Sequence, residues 1–109
     1  MNIEFSDPFA SQKAIARNAL YQVIDPELFV NVIDLGMIYD LDFNTEGHIT
    51  VTMTLTTPHC PMGDAIQNGV RNAMEACFPD RQTEINLTFN PPWGMDKVTE
   101  EGRKQLGAY

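Results

Sequence analysis

The chain has 109 residues, with 43 % apolar and 20 % charged side chains, and its 15 acids against seven bases give a formal net charge of −8. At roughly 100–200 residues per domain, this length predicts one domain over residues 1–109, with its core at about 11–107. Nucleic acids and anionic membranes are bound by positive charge that releases counterions, so this balance argues against both as partners. The acids are dispersed, which reads first as a solvated surface rather than an acidic tail.

The first element is a helix. Asp7-Pro8 can cap and start it, with Ser11 as a rival cap. Ile15, Ala19, Leu20, Val23 and Ile24 recur at helical spacing, and Asp25-Pro26 is the expected stop, because a residue before proline is pushed out of the helical region. An irregular stretch follows, at residues 25–36. Two alternating strands come next. Residues 37–43 place Tyr39, Leu41 and Phe43 on one face, and residues 49–55 do the same with Ile49, Val51, Met53 and Leu55. Asn44, Thr45, Glu46 and Gly47 join them as a hairpin turn.

Residues 56–61 read as a polar loop before a second helix at about 61–78. Ala65, Ile66, Val70, Ala73, Met74 and Cys77 form its expected apolar face. A third strand is expected at residues 83–89, with Ile85, Leu87 and Phe89 inward. After a turn at Pro91, Pro92 and Trp93 comes a short helix, with Thr99 as N-cap, Glu100 and Glu101 at its positive end and Gly107 as C-cap. The order is α-β-β-α-β-α. It predicts an α+β fold, a two-layer α/β sandwich with a small three-stranded sheet, mixed or antiparallel, and helices on one face.

Two cysteines without a C-x-x-C pair exclude a self-contained zinc or four-cysteine iron–sulfur site. The amino-terminal residues lack a basic start followed by an apolar run, and no apolar stretch reaches the ~20 residues of a membrane span. The expectation is a cytoplasmic protein with reduced thiols. Cys77 reads as a small buried hydrophobe. Cys60 differs: it lies in TTPHCPMG, and Pro61 at the first helical position would put it at or near the N-cap. There the helix dipole and free amides stabilise a thiolate. His59 either assists that thiolate or is an exposed loop residue, and His48 is expected at the surface. Asp25, Glu27 and Asp34 are either turn formers or an acid/base or metal site. Thr56 and Thr57 either orient the thiol or cap the helix. Trp93 is read as a packed corner.

The blocks DPELFVNVIDLGMIYDLDF, TMTLTTPHCPMGDAI and NPPWGMDKVTEEGRKQLG, taken in this order, resemble the SufT/PaaD-like family of iron–sulfur assembly domains. The resemblance implies a fold like the carboxy-terminal domain of NifU-type scaffolds. It also implies a role in maturing iron–sulfur proteins. It assigns the probable site to Asp25, Glu27, Asp34, Thr56, Thr57 and Cys60, with Gly36 at the tight turn. His59 departs from a common glycine, and Gly63 and Gly94 replace more usual residues. The family has no agreed catalytic reaction, so a carrier or assembly factor is expected rather than a conventional enzyme.

One thiolate cannot fill the coordination of a cluster. The reading is therefore a factor whose Cys60 transiently ligates iron or a cluster and passes it to client iron–sulfur proteins, in company with SUF components. Further ligands come from a client or a homodimer partner. The alternative is a non-catalytic adaptor, in general cluster delivery or for one oxygenase, in which Cys60 is structural.

Overall fold

The computed structural model describes residue 3, residues 6–58 and residues 61–107. The elements are α1 (Ala10–Leu20), β1 (Ile38–Phe43), β2 (His48–Met53), α2 (Gly63–Cys77), β3 (Gln82–Leu87), one 3-10 turn (Met95–Lys97) and α3 (Glu100–Leu106). This is the α-β-β-α-β-α order expected. Among the described residues no helix is long and apolar enough to cross a membrane.

The sheet runs β1-β2-β3 and is mixed. The first two strands are antiparallel because a tight turn joins them: Asn44 Oδ1 accepts from the amides of Glu46 and His48 at 3.0 Å, and Gly47 has φ +85°. The second pair is parallel because the 15-residue α2 carries the chain back across the sheet before β3 begins. One face holds Leu41, Phe43, Ile49, Val51 and Met53, all nearly or fully buried. Above them α1 contributes Ala16 and Leu20, and α2 contributes Ile66, Val70 and Met74. The opposite face carries Asp40, Asp42, Thr50, Thr52, Glu84 and Asn86, which register places in facing rows. Helix α3 docks on the loop before β1 instead: a Cβ on Gly102 would sit 2.7 Å from the carbonyl oxygen of Asp34.

Several local expectations are corrected. Helix α1 ends at Leu20, not at Asp25-Pro26, and Ile15 and Ile24 are about half exposed. The chain beyond it folds back on itself: Val32 N donates to Val23 O (3.0 Å), Asp25 N to Val30 O (2.9 Å), and Ile24 bridges Asn31. These cross-bonds satisfy the amides that a longer helix would have used. In β1 the alternation slips at Tyr39. Ile38 pairs with Met53 and Asp40 with Thr52, so Tyr39 is a bulge residue. Ile38 therefore takes the buried place, and Tyr39 turns its hydroxyl outward to donate to Pro91 O at 2.8 Å.

Helix α2 begins at Gly63 with Met62 at the N-cap and no side-chain cap. Pro61 thus precedes the helix rather than opening it. At the other end Cys77 is exposed rather than core, and Ala65 is exposed as well. Phe78 takes the inward place there, its ring edge-on to Phe43 with centroids 5.1 Å apart. Thr99 and Gly107 cap α3 as expected: Thr99 Oγ1 accepts from Gly102 N at 3.0 Å, and Gly107 has φ +74°. Trp93 is a packed corner, its indole N–H donating to Leu35 O at 2.6 Å.

Candidate functional site at the carboxyl end of the parallel strands

Strand direction decides which sequence blocks meet. Because β2 and β3 are parallel, both end at the same side of the sheet, and the antiparallel β1 begins there. The segments before β1, after β2 and after β3 consequently gather at one end. Hydrogen bonds tie them: Thr54 N to Met37 O (2.8 Å), Thr88 N to Met53 O (2.9 Å), Trp93 Nε1 to Leu35 O (2.6 Å) and Tyr39 Oη to Pro91 O (2.8 Å). The crevice beyond the carboxyl ends of parallel strands is where open α/β sheets bind ligands.

Asp25 is 2 % exposed and organises the turn that precedes this end. Its Oδ1 accepts from Glu27 N (2.7 Å) and Leu28 N (3.0 Å), and its carbonyl accepts from Phe29 N (2.8 Å). A carboxylate oxygen is well suited to two converging amides, as at a helix N-cap. Glu27 contributes its amide to this turn while its side chain is exposed. The turn ends at Phe29, which has φ +60° and is 77 % exposed. Non-glycine residues rarely adopt that conformation.

Asp34, 8 % exposed, lies at a junction. Asn31 Nδ2 donates to its Oδ2 and the Thr99 hydroxyl to its Oδ1, each at 2.8 Å. Its amide donates to Asn31 Oδ1, and its carbonyl accepts from Thr99 N, again at 2.8 Å. This carboxylate therefore holds α3 against the loop that leads into β1. Gly36, two residues on, has φ +72°, and a Cβ there would lie 2.0 Å from Lys97 O. Only glycine fits that approach.

Thr56 is half-buried and Thr57 exposed, in the loop that leaves β2. His59 and Cys60, the thiol and its neighbour in the sequence reading, lie outside the described residues. Among the described residues, no three His, Cys, Asp or Glu side chains converge as a metal site, and no hydrogen bond joins the Asp25 turn to Thr56 or Thr57.

Two partners escaped the sequence reading. Asn31 is buried and holds Asp34 from three residues away, an Asx spacing that the sequence does display. Thr99 was read only as a helix cap. Its second bond spans 65 residues, and nothing local announces it.

Residues 13–87 match a family described as iron-sulfur cluster assembly protein. An Fe-S protein maturation auxiliary factor of Porphyromonas gingivalis is 44 % identical over 107 residues, covering 98 % of each chain. The Fe-S protein maturation auxiliary factor YitW of Bacillus subtilis is 39 % identical, over 82 % of this chain and 87 % of its own. The crystal structure of a domain of unknown function, DUF59, from Bacillus anthracis superposes with a TM-score of 0.80 at 32 % identity, covering 91 % of this chain and 97 % of that one. The chain belongs to the iron-sulfur cluster assembly protein family.

Proposed function

We propose that this protein is a cytoplasmic maturation factor that delivers iron–sulfur clusters to client proteins, working with SUF components. The observation that carries the reading is the P. gingivalis maturation factor, similar from end to end at 44 % identity. The cluster is cargo. In the proposed step the Cys60 thiolate ligates one iron of the cluster. A client thiolate then displaces it in a ligand exchange that leaves every oxidation state unchanged. Iron–sulfur clusters take about four cysteine ligands, so one thiol per chain suits transit better than storage. Remaining ligands come from the client or from a second copy of this chain.

The convergence of strand ends supports this site. The loop bearing Thr56, Thr57 and Cys60 starts where β2 ends, beside the turn that Asp34 secures. In the proposal Asp25, Glu27 and Asp34 supply negative charge and turn geometry beside the cargo. The threonine hydroxyls orient the thiol.

A non-catalytic adaptor is the second reading, and the exposed Phe29 favours it, since an aromatic side chain held out by a rigid turn is a ready contact. Cys60→Ser separates the two. With the melting temperature unchanged, the serine variant is expected to abolish client enzyme maturation in cells. It should also lose the cluster absorbance that wild type gains under anaerobic reconstitution. Full client activity with the serine variant would leave the adaptor reading standing and overturn the thiolate one.

A further inference from the structure

The two edge strands of this sheet are unequal. Strand β1 is guarded in the way natural edges usually are, by a bulge at Tyr39 and by charges at Asp40 and Asp42. Strand β3 has no such protection. It pairs with β2 through an unbroken register from Gln82 to Leu87, and its residues include no proline, no lysine and one charge, Glu84.

Backbone phase shows what this edge presents. Gln82 N donates to Gly47 O and Thr88 N to Met53 O, both at 2.9 Å, so even-numbered residues bond towards β2. The amides and carbonyls of Thr83, Ile85 and Leu87 point the other way. Among the described residues no turn, loop or cap bonds to them. The same three side chains face the helical layer, where Ile85 is only half-buried and Leu87 is 36 % exposed.

We propose that β3 pairs antiparallel with β3 of a second copy, about a two-fold axis at Ile85, joining two three-stranded sheets into one. This register uses every outward residue: Ile85 meets the partner's Ile85, and Thr83 meets the partner's Leu87. It sets Glu84 opposite the partner's Asn86. An axis at Glu84 would oppose two carboxylates, and an axis at Asn86 would leave Thr83 beyond the paired strand. The chosen register buries Ile85 and Leu87 against their counterparts on the helical side. An isologous pair of this kind closes on itself and leaves no free edge to extend. The pairing does not depend on Cys60 or on cluster delivery.

Each copy carries a net charge of −8, so salt strengthens the pairing by screening repulsion. Light scattering across micromolar to millimolar protein is expected to show the mass rising from 12.3 kDa towards twice that value, at lower concentration in higher salt. Amide exchange supplies the register. Protection at Thr83, Ile85 and Leu87 should rise with concentration, while Glu84 and Asn86, bonded to β2 in either state, stay constant. Ile85→Pro removes an amide that points away from β2, a place where edge strands tolerate proline. It should abolish the mass increase while β2 keeps its protection. A mass of 12.3 kDa at every concentration and salt overturns the proposal. So does a dimer whose Thr83, Ile85 and Leu87 amides exchange freely, or a folded Ile85→Pro protein that still pairs. Wild-type exchange decides the matter alone if the proline variant fails to fold.

Discussion

Asp25→Ala and Asp25→Asn separate two uses of one carboxylate. The alanine removes the acceptor of two amides, those of Glu27 and Leu28, beneath a residue only 2 % exposed. A lost cap costs about 0.5–2 kcal/mol, and a buried donor left without a partner about 1–3 kcal/mol. Since both amides share one oxygen, the expected destabilisation is about 2–4 kcal/mol. The entropy of unfolding, about 2.1 cal/mol/K per residue, makes 1 kcal/mol worth roughly 4 °C in a chain of 109 residues. Asp25→Ala should therefore lower the melting temperature by about 9–17 °C. Asparagine keeps an acceptor at the same place and is nearly as good a cap, so Asp25→Asn should cost less than about 1 kcal/mol. Calorimetry of the three proteins reads the stability, and client maturation in cells reads the function. If asparagine is stable but fails to mature the client, the negative charge serves the chemistry. If asparagine melts as low as alanine, the turn argument is refuted, because amide acceptance alone would not explain the carboxylate. An alanine variant as stable as wild type refutes it equally.

Phe29→Gly should be neutral or stabilising, although it deletes an aromatic ring. The ring is 77 % exposed, so little burial is lost, and φ +60° is relaxed in glycine. Relief of about 1–2 kcal/mol exceeds the entropy glycine adds to the unfolded chain, about 0.5–1 kcal/mol. A fall in melting temperature would refute this, and a stabilised variant with weakened client maturation would mark Phe29 as a docking contact. The Asp7–Lys13 pair makes stability depend on pH at both extremes. Its hydrogen bond to Lys13, with a second from the Phe9 amide, holds Asp7 below its ordinary 3.8, and the bond to Asp7 lifts Lys13 above 10.5. The depressed acid contributes stability above pH 3.8 that is lost as pH falls through its folded value, and the raised base contributes stability below pH 10.5 that is lost as pH rises through its own. Lys13→Met should then lower stability between those limits and converge with wild type beyond them. A difference independent of pH, measured by denaturant titration, would refute the pairing.

Local chemistry was legible wherever one segment settles its own structure. The hairpin turn at residues 44–47, the caps of α3 at Thr99 and Gly107 and the α-β-β-α-β-α order follow from turn residues and hydrophobic period. So does the family, because three blocks of motif lie in order along one short chain. What failed was local pattern under tertiary override. The apolar run Val23-Ile24 looked like more helix, yet the chain gains more by folding Asp25 back on Val30. Cys77 sits on the helical stripe, yet Phe78 fills the space beside Phe43.

Composition and spacing alone determined an acidic α+β chain with too few thiols to hold a cluster unaided, and named the segments worth watching. Only the tertiary structure decided that the sheet is mixed. That single choice brings the ends of β2 and β3 to one side, beside the start of β1, and makes β3 an edge strand. The reason is physical: strand direction is set by the path of α2 over the sheet, and the bonds that report it, from Thr88 to Met53 or from Thr99 to Asp34, join residues that no local window contains.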